Sequence, residues 1–362
     1  FPESIAIIVH AGETIKTKGD DIAEILYLYG VRPVWLGGSD RVIGLEAIPL
    51  EELGRPRVDV TLRISGLFRD SFPNLIERIE DAVNLVAALD EPEEQNFIRK
   101  HVNGDVREFL QQGMSREQAF DYAKLRVFGC PTGNYGAGVD ILINSKQWQS
   151  SDELGAAFIG WSANAYSRNL HGEKLQGVFS RRLAQTDVTV KNIPSYEMDM
   201  LDNEDFYNYH GGLISAVRSQ RGQLPASYSS GAGDPRHVET RSIHEDASRI
   251  MRARISNPKW IAGLREHGYR GAQEMSAMVD IVFGWDATSS VVDDWMYEKI
   301  AEDYLLNEEM QQWLQEVNPW ALHAMSERLL EAAKRGMWEA DEQTLWQLTE
   351  IYLNAEGDME DM

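Results

Sequence analysis

The sequence predicts an α/β protein, with an N-terminal parallel α/β unit followed by a predominantly α-helical C-terminal part. Three observations carry this. Residues 1 to about 90 alternate strand-like apolar runs with amphipathic helical stretches, the pattern of a mainly parallel sheet. Residues 55–83 compress a strand, a polar turn and a helix into one short span. From Glu245 onward, apolar residues recur at helical spacing to the end.

The elements follow in order. Ile5, Ala6, Ile7, Ile8 and Val9 form an apolar strand over about 4–10. A helix over 20–29 places Ile22, Ile25, Leu26 and Tyr29 on one face and ends at Gly30. Residues 31–36 read as a second strand of the same sheet. In 58–64, Val58, Val60, Leu62 and Ile64 alternate with Asp59, Thr61 and Arg63, the period of a strand. Ser71 near a cap and Pro73 in the first turn start a helix over 72–89. Residues 91–130 read as helical and charged. A glycine-rich loop follows (GCPTGNYGAG), and then helical sequence over 152–185 with breaks at Gly160 and Gly172. Residues 186–191 form a short strand and 225–237 a Ser/Gly/Pro loop. The helical end has breaks at Asn257-Pro258, His267-Gly268, Gly284, Asn318-Pro319 and Gly336. The expected regions are an α/β unit over 1–90, a mixed α/β region over 91–244 and a helical region over 245–362.

Composition narrows the function. The 362 residues carry a net charge of -23, which opposes a nucleic-acid backbone or an anionic lipid surface as partner. Cys130 is the single cysteine, so no internal disulfide forms and a reducing, cytoplasmic compartment is expected. No apolar run approaches the roughly 18 residues of a membrane span. The chain starts at Phe1 almost directly on a strand, which suggests a piece of a longer protein.

Candidate chemistry gathers at strand ends. Ligands of open α/β sheets sit at the C-terminal strand edge, where His10, Glu13, Lys16 and Lys18, then Ser39 and Asp40, then Arg63, Arg69 and Asp70 are expected to meet. Glu13 beside His10 reads as a metal ligand or proton acceptor, or as part of a solvated loop. Arg63, Arg69 and Asp70 suit a carboxylate-bearing ligand, or an Arg–Asp pair that fixes the turn. Tyr135 in the glycine loop offers a stacking surface, or the loop is simply a turn. Gly12 to Gly19 (GETIKTKG) matches no nucleotide loop. Glu197, Asp199, Asp202, Glu204, Asp205 and His210 are rich in oxygen ligands, though a solvated acidic surface is the commoner outcome. Most tryptophans lie late in the chain, and Trp313 and Trp346 read as core.

RPRVDVTLRISGLFRDSFPNLIERIEDAV resembles the signature of the large subunit shared by cobaltochelatase (the CobN type) and magnesium chelatase (the H subunit). TKGDDIAEILYLYGVRPVW, RVFGCPTGNYGAGV, LDNEDFYNYHGGL, ISNPKWIAGLREHGYRGAQEMSAMVD, FGWDATSSVVDDWMYE and LLEAAKRGMWE extend the resemblance over essentially the whole chain. YGAGV and DNEDFYNYHGG are closer to the cobalt branch. The resemblance implies the C-terminal third of such a subunit. The family's HxGxHGxxE-type motif lies upstream of this region, so the piece is not expected to insert metal alone. What the resemblance implies is insertion of Co2+ into a corrin-precursor tetrapyrrole in cobalamin biosynthesis. The alternatives are Mg2+ insertion into protoporphyrin, or a non-catalytic ring- or partner-binding module. ATP is then hydrolysed by an AAA+ subunit, alongside an integrin-I-domain-type subunit, and not by this chain. Glu13 and Asp70 are the expected catalytic groups. Arg63, Arg69, Tyr135, Lys259 and His267 are the expected ring or interface contacts, and the metal ligands stay unassigned.

Overall fold

The structure, a computed structural model, describes residues 1–195, 197–231, 234 and 236–360. The chain divides into two compact units: Phe1–Pro194 with Asn208–Thr240, and Ser195–Tyr207 with the chain from Arg241 onward.

The first unit is built on an eight-stranded sheet. Its strands are β1 (Ser4–Val9), β4 (Asp59–Ile64), β5 (Val127–Gly129), β6 (Asn164–Tyr166), β7 (His171–Lys174), β8 (Val188–Ile193), β9 (Ala226–Gly231) and β10 (Glu239–Ser242). Their spatial order is β10-β9-β8-β1-β4-β5-β6-β7. β1 lies parallel to β4 and to β8, with β5 parallel to β4 and β9 parallel to β8. β6 and β7 add an antiparallel edge. Helices cover the sheet, among them α1 (Ala11–Thr17), α2 (Asp20–Tyr29) and the helices Pro73–Ala87, Phe97–Gln111, Ser151–Ser162, Gln176–Ala184 and Gly212–Arg221.

Several expectations are corrected. Residues 31–36 do not join the parallel sheet. β2 (Val31–Trp35) instead pairs antiparallel with β3 (Val42–Ala47) in a separate two-stranded sheet. Pro33 in β2 has no N–H to give to a neighbour on both sides, which suits a two-stranded ribbon and not a central strand. Ser39 and Asp40 therefore sit at a hairpin tip, away from the strand ends they were expected to join. Within 152–185 the helix runs through Gly160, and β6 and β7 intervene before the next helix. The Ser-rich stretch expected as a loop contains β9, whose hydroxyls are used internally: Ser227 Oγ accepts from Thr189 Oγ1 at 2.8 Å, and Ser230 Oγ pairs with Thr240 Oγ1 at 3.1 Å.

The central strands show why the polar alternation misleads. Ser4, Ala6 and Ile8 of β1 align with Asp59, Thr61 and Arg63 of β4, and Ile8 aligns with Lys191 of β8. Successive side chains alternate faces, so Asp59, Thr61, Arg63 and Lys191 share one face of the sheet. All four are buried. This face is polar but dry. Asp59 accepts from Arg126 Nε and Nη2 at 2.6 and 3.0 Å and lies 2.8 Å from His101 Nδ1. Arg182 approaches Asp59 at 3.5 Å and pairs with buried Asp105. Burial pushes the Asp59 carboxyl up, but Arg126, His101 and Arg182 together outweigh it and hold it well below the usual carboxylate range. Burial pulls Arg182 down to about 10 against the pull of Asp59.

The second unit is helical. Asn257 and Asn318 cap the helices that open with Pro258 and Pro319, as the dipeptides predict. Gly284 does not break its helix, which runs Tyr269–Ser289. A Cβ there would meet the Tyr207 ring at 2.7 Å, so this glycine serves close packing. Trp285 is buried and donates to Met200 O at 2.8 Å, whereas Trp346 is exposed and not core.

Removing one partner of the buried network strands a charge, so Arg126→Met should cost about 3–5 kcal/mol in urea unfolding at pH 7. Because the Asp59 pKa is depressed in the fold, the unfolded chain binds more protons in acid. The Asp59 contribution is complete above the unfolded carboxylate value of about 3.9 and is lost as pH falls below it toward the folded value. Wild-type stability measured from pH 5 downward should fall more steeply than that of Arg126→Met.

Candidate functional site

The strand order defines a reversal. From β1 the chain passes to β4 and β5 on one side, then returns to β8 and β9 on the other. The crevice outside the C-terminal ends of β1 and β8 is where open α/β sheets place ligands.

Two elements fill that crevice. β1 ends at Val9, and His10 leads into α1, a helix the sequence did not indicate, which carries Glu13 on a helical turn. β8 contributes Lys191, buried to 1% exposure, and Asn192. Lys191 forms an ion pair with Glu13 and donates to Asn192 O at 3.1 Å. The Asn192 amide donates to Asp21 Oδ1 at 2.8 Å and to Glu24 Oε2 at 2.6 Å, both on α2. His10 meets the Tyr209 ring edge-on at 4.6 Å, and the Arg63 guanidinium lies over the same ring at 4.4 Å. A π-helical turn, Tyr207–Gly211, presents Tyr209 and His210 here, with His210 Nε2 at 3.0 Å from Thr189 Oγ1.

Burial dominates the electrostatics. It pushes Glu13 up from the usual carboxylate value, and Lys191 pulls it back in part. Asp21 and Glu24 are raised by burial against the Asn192 hydrogen bonds. Burial, then Lys191 and Arg63, hold His10 well below its ordinary value, and burial takes His210 down to about 3. Three buried atoms here have no hydrogen-bond partner among the described residues: His10 Nε2, Glu13 Oε2 and Asp21 Oδ2. A buried polar atom left unpaired costs about 1–3 kcal/mol, so such a group in a native fold calls for an explanation. Chemically, the crevice holds a neutral imidazole, a carboxylate with one oxygen uncommitted and a buried ammonium. That set can accept and hold a proton.

Arg63 lies at the end of β4 as expected, whereas Arg69 and Asp70, expected in a polar turn, lie in a short helix, Gly66–Ser71. Their contacts are internal. Arg63 donates to Ser162 Oγ, Ile64 O and Gly136 O at 3.1, 2.8 and 2.6 Å. Arg69 forks onto Asp70 at 2.6 and 2.8 Å and donates to Pro131 O at 2.8 Å. Tyr135 is exposed and donates to Asp70 Oδ2 at 2.9 Å. The two arginines thus clamp the glycine loop over the helix start. A Cβ on Gly66 would meet the Tyr135 ring at 2.6 Å and Asn134 O at 2.7 Å, so only glycine admits the loop there. Gly136 N also donates to Tyr209 Oη at 3.1 Å, which links loop and crevice.

Lys259 and His267 are exposed and belong to the second unit, in and just after the helix Pro258–Arg265. The acidic stretch does not form a cation site. Asp199 and Asp202 pair with Arg254, and among the described residues no group of three or more His, Cys, Asp or Glu is arranged to hold a metal. Tyr196 of that stretch lies outside the described residues. Lys191, Asn192, Asp21 and Glu24 are the members the sequence reading missed. A lysine inside the apolar strand VTVKNI was the available signal, since a charge on a buried strand needs a partner.

Fold and crevice define an α/β protein of the doubly wound kind with a polar switch-point site. Residues 1–345 match the CobN/Magnesium Chelatase family, and the chain belongs to it. An uncharacterized protein of Methanocaldococcus jannaschii is 47% identical, over 100% of this chain and 29% of its own length. The aerobic cobaltochelatase subunit CobN of Pseudomonas aeruginosa is 42% identical, over 92% of this chain and 27% of its own. The solved catalytic subunit of cobaltochelatase from Mycobacterium tuberculosis superposes with a TM-score of 0.94 at 43% identity, covering 99% of this chain and 30% of that one. The chain therefore spans under a third of the length of the proteins it matches.

With its imidazole held down to about 3, His210 should stay neutral from pH 8 to pH 5, and its ring resonances, followed by NMR, should not move over that range. Burial holds His10 below its ordinary value in the same direction. The unfolded chain takes up these protons near pH 6.5, so both histidines lower stability as pH falls below that value.

Proposed function

We propose that this chain is the C-terminal part of the large subunit of an ATP-dependent cobaltochelatase, and that its switch-point crevice serves the proton transfer of metal insertion. Family membership and the two cobaltochelatase likenesses support the reaction class. The observation that carries the site is Glu13, a largely covered carboxylate with one oxygen engaged by Lys191 and the other, Oε2, buried with no hydrogen-bond partner among the described residues.

A corrin-type ring binds the metal as a monoanion, so inserting Co2+ displaces one inner N–H proton. Glu13 Oε2 accepts it, and Lys191 keeps the carboxylate ionised until it does. His10, held neutral by burial and by Lys191 and Arg63, offers Nε2 beside Glu13 as a hydrogen-bond partner that does not take the proton. General bases placed this way are worth about 10²–10⁴-fold. Asp70, Arg69 and Tyr135 present the outer face of the glycine loop to the ring, and Arg63 positions that loop. Lys259 and His267 are assigned as further contacts in the assembled subunit. ATP is hydrolysed by an AAA+ partner acting with an integrin-I-domain-type subunit, in the cytoplasm. Among the described residues no helix is long and apolar enough to cross a membrane.

The test uses the full-length subunit with its partner subunits, ATP and Co2+. Glu13→Gln should lower kcat about 10²–10⁴-fold with KM for the ring little changed. Unaltered kcat in a folded Glu13→Gln subunit would remove Glu13 from the chemistry. Insertion of Mg2+ into protoporphyrin with no cobalt activity would move the chain to the magnesium branch.

A further inference from the structure

Against α1 and α2 lies an open cleft of about 770 Å3 whose lining includes none of the crevice residues named above. Its walls are α2, the hairpin β2–β3 and the helix Pro73–Ala87. Ile22, Leu26 and Leu75 line it. Trp35 and Ile15 stand at its rim, 55% and 62% exposed. A small ligand seated inside would leave these two rim side chains in water. A helix laid along the cleft would cover them, which is the helix-in-groove mode.

Charge narrows the occupant. Lys18, Arg41 and Arg78 border the cleft, against Asp20 and Asp40. Arg78 pairs with Asp81 at 3.5 Å, whereas Lys18 and Arg41 make no ion pair among the described residues. In a chain of net charge -23, most of the surface repels an acidic partner. Unpaired cations around an apolar groove mark the place where one can land. Tryptophan and arginine at the edge of such a groove are the residue types that dominate binding energy.

We propose that this cleft docks an amphipathic helix with an acidic flank, carried by a partner subunit. This rests on the reading that the chain works in a multi-subunit chelatase. The apolar stripe enters between α2 and the helix Pro73–Ala87, and the acidic flank meets Lys18 and Arg41.

The experiment titrates the full-length subunit with its purified partner subunits by calorimetry. It compares wild type with Trp35→Ala and with the double variant Lys18→Glu, Arg41→Glu. Ring binding is measured in parallel by absorbance. Both variants should weaken partner binding by at least about tenfold, and the double variant should lose most of its salt dependence. Ring affinity should stay unchanged, which separates this proposal from the proton-transfer reading. Three outcomes overturn it: partner binding equal to wild type, loss of ring affinity in its place, or protection of Trp35 from oxidative labelling in the full-length subunit alone. The last would mean that the rest of the subunit already covers the cleft.

Discussion

The first unit depends on one constraint: the central sheet buries charge on one of its faces, and every such charge must find a partner inside. Asp59, Arg63 and Lys191 sit on β4 and β8 with almost no exposure. Isolated ions there would cost several kcal/mol each. Each is therefore tied to a covering element. Asp59 recruits Arg126, ahead of β5, and Arg182 and His101 from two helices. Arg63 reaches Ser162 and the glycine loop. Lys191 reaches Glu13 on α1. These pairs specify which helix packs where, because a shifted helix would leave an ion unpaired in the dry interior. An apolar face of the same sheet would tolerate sliding far better.

This constraint also explains how much could be read from the sequence. Period-2 alternation located β4 to within one residue, and the capping and proline signals located α2 and the helix Pro73–Ala87. Alternation normally reports one wet face. Here it reports a face that is polar and buried, which composition along one strand cannot distinguish. Partners lie far away in sequence: Asp59 with Arg126 and Arg182, Glu13 with Lys191. Only strand register brings them together, since Ile8 aligns with both Arg63 and Lys191. So Glu13 and His10 were legible as neighbours, while Lys191 and Asn192 were not. β2 and β9 failed for opposite reasons. Apolar content promoted β2 into the wrong sheet, and a run of serines concealed β9, where hydroxyl-to-hydroxyl bonds replace apolar packing.

Among the candidate residues, the structure separates two kinds of buried polar group. Arg63 and Arg69 donate in several directions to carbonyls, a hydroxyl and a carboxylate within the first unit. Groups satisfied in this way hold geometry. Their contribution to a ligand is the position of Tyr135 and of the loop behind it. His10, Glu13 and Asp21 are the converse, each with a buried atom that nothing among the described residues satisfies. Folding tolerates about 1–3 kcal/mol for each such atom only where something else is gained. These unsatisfied atoms converge on a topological reversal, beside the Lys191 ammonium that pairs with Glu13. Among the described residues, these unpartnered buried atoms lie in the crevice between β1 and β8 and not in the arginine-rich turn after β4. The turn remains attached to it through Arg63, Tyr209 and Gly136.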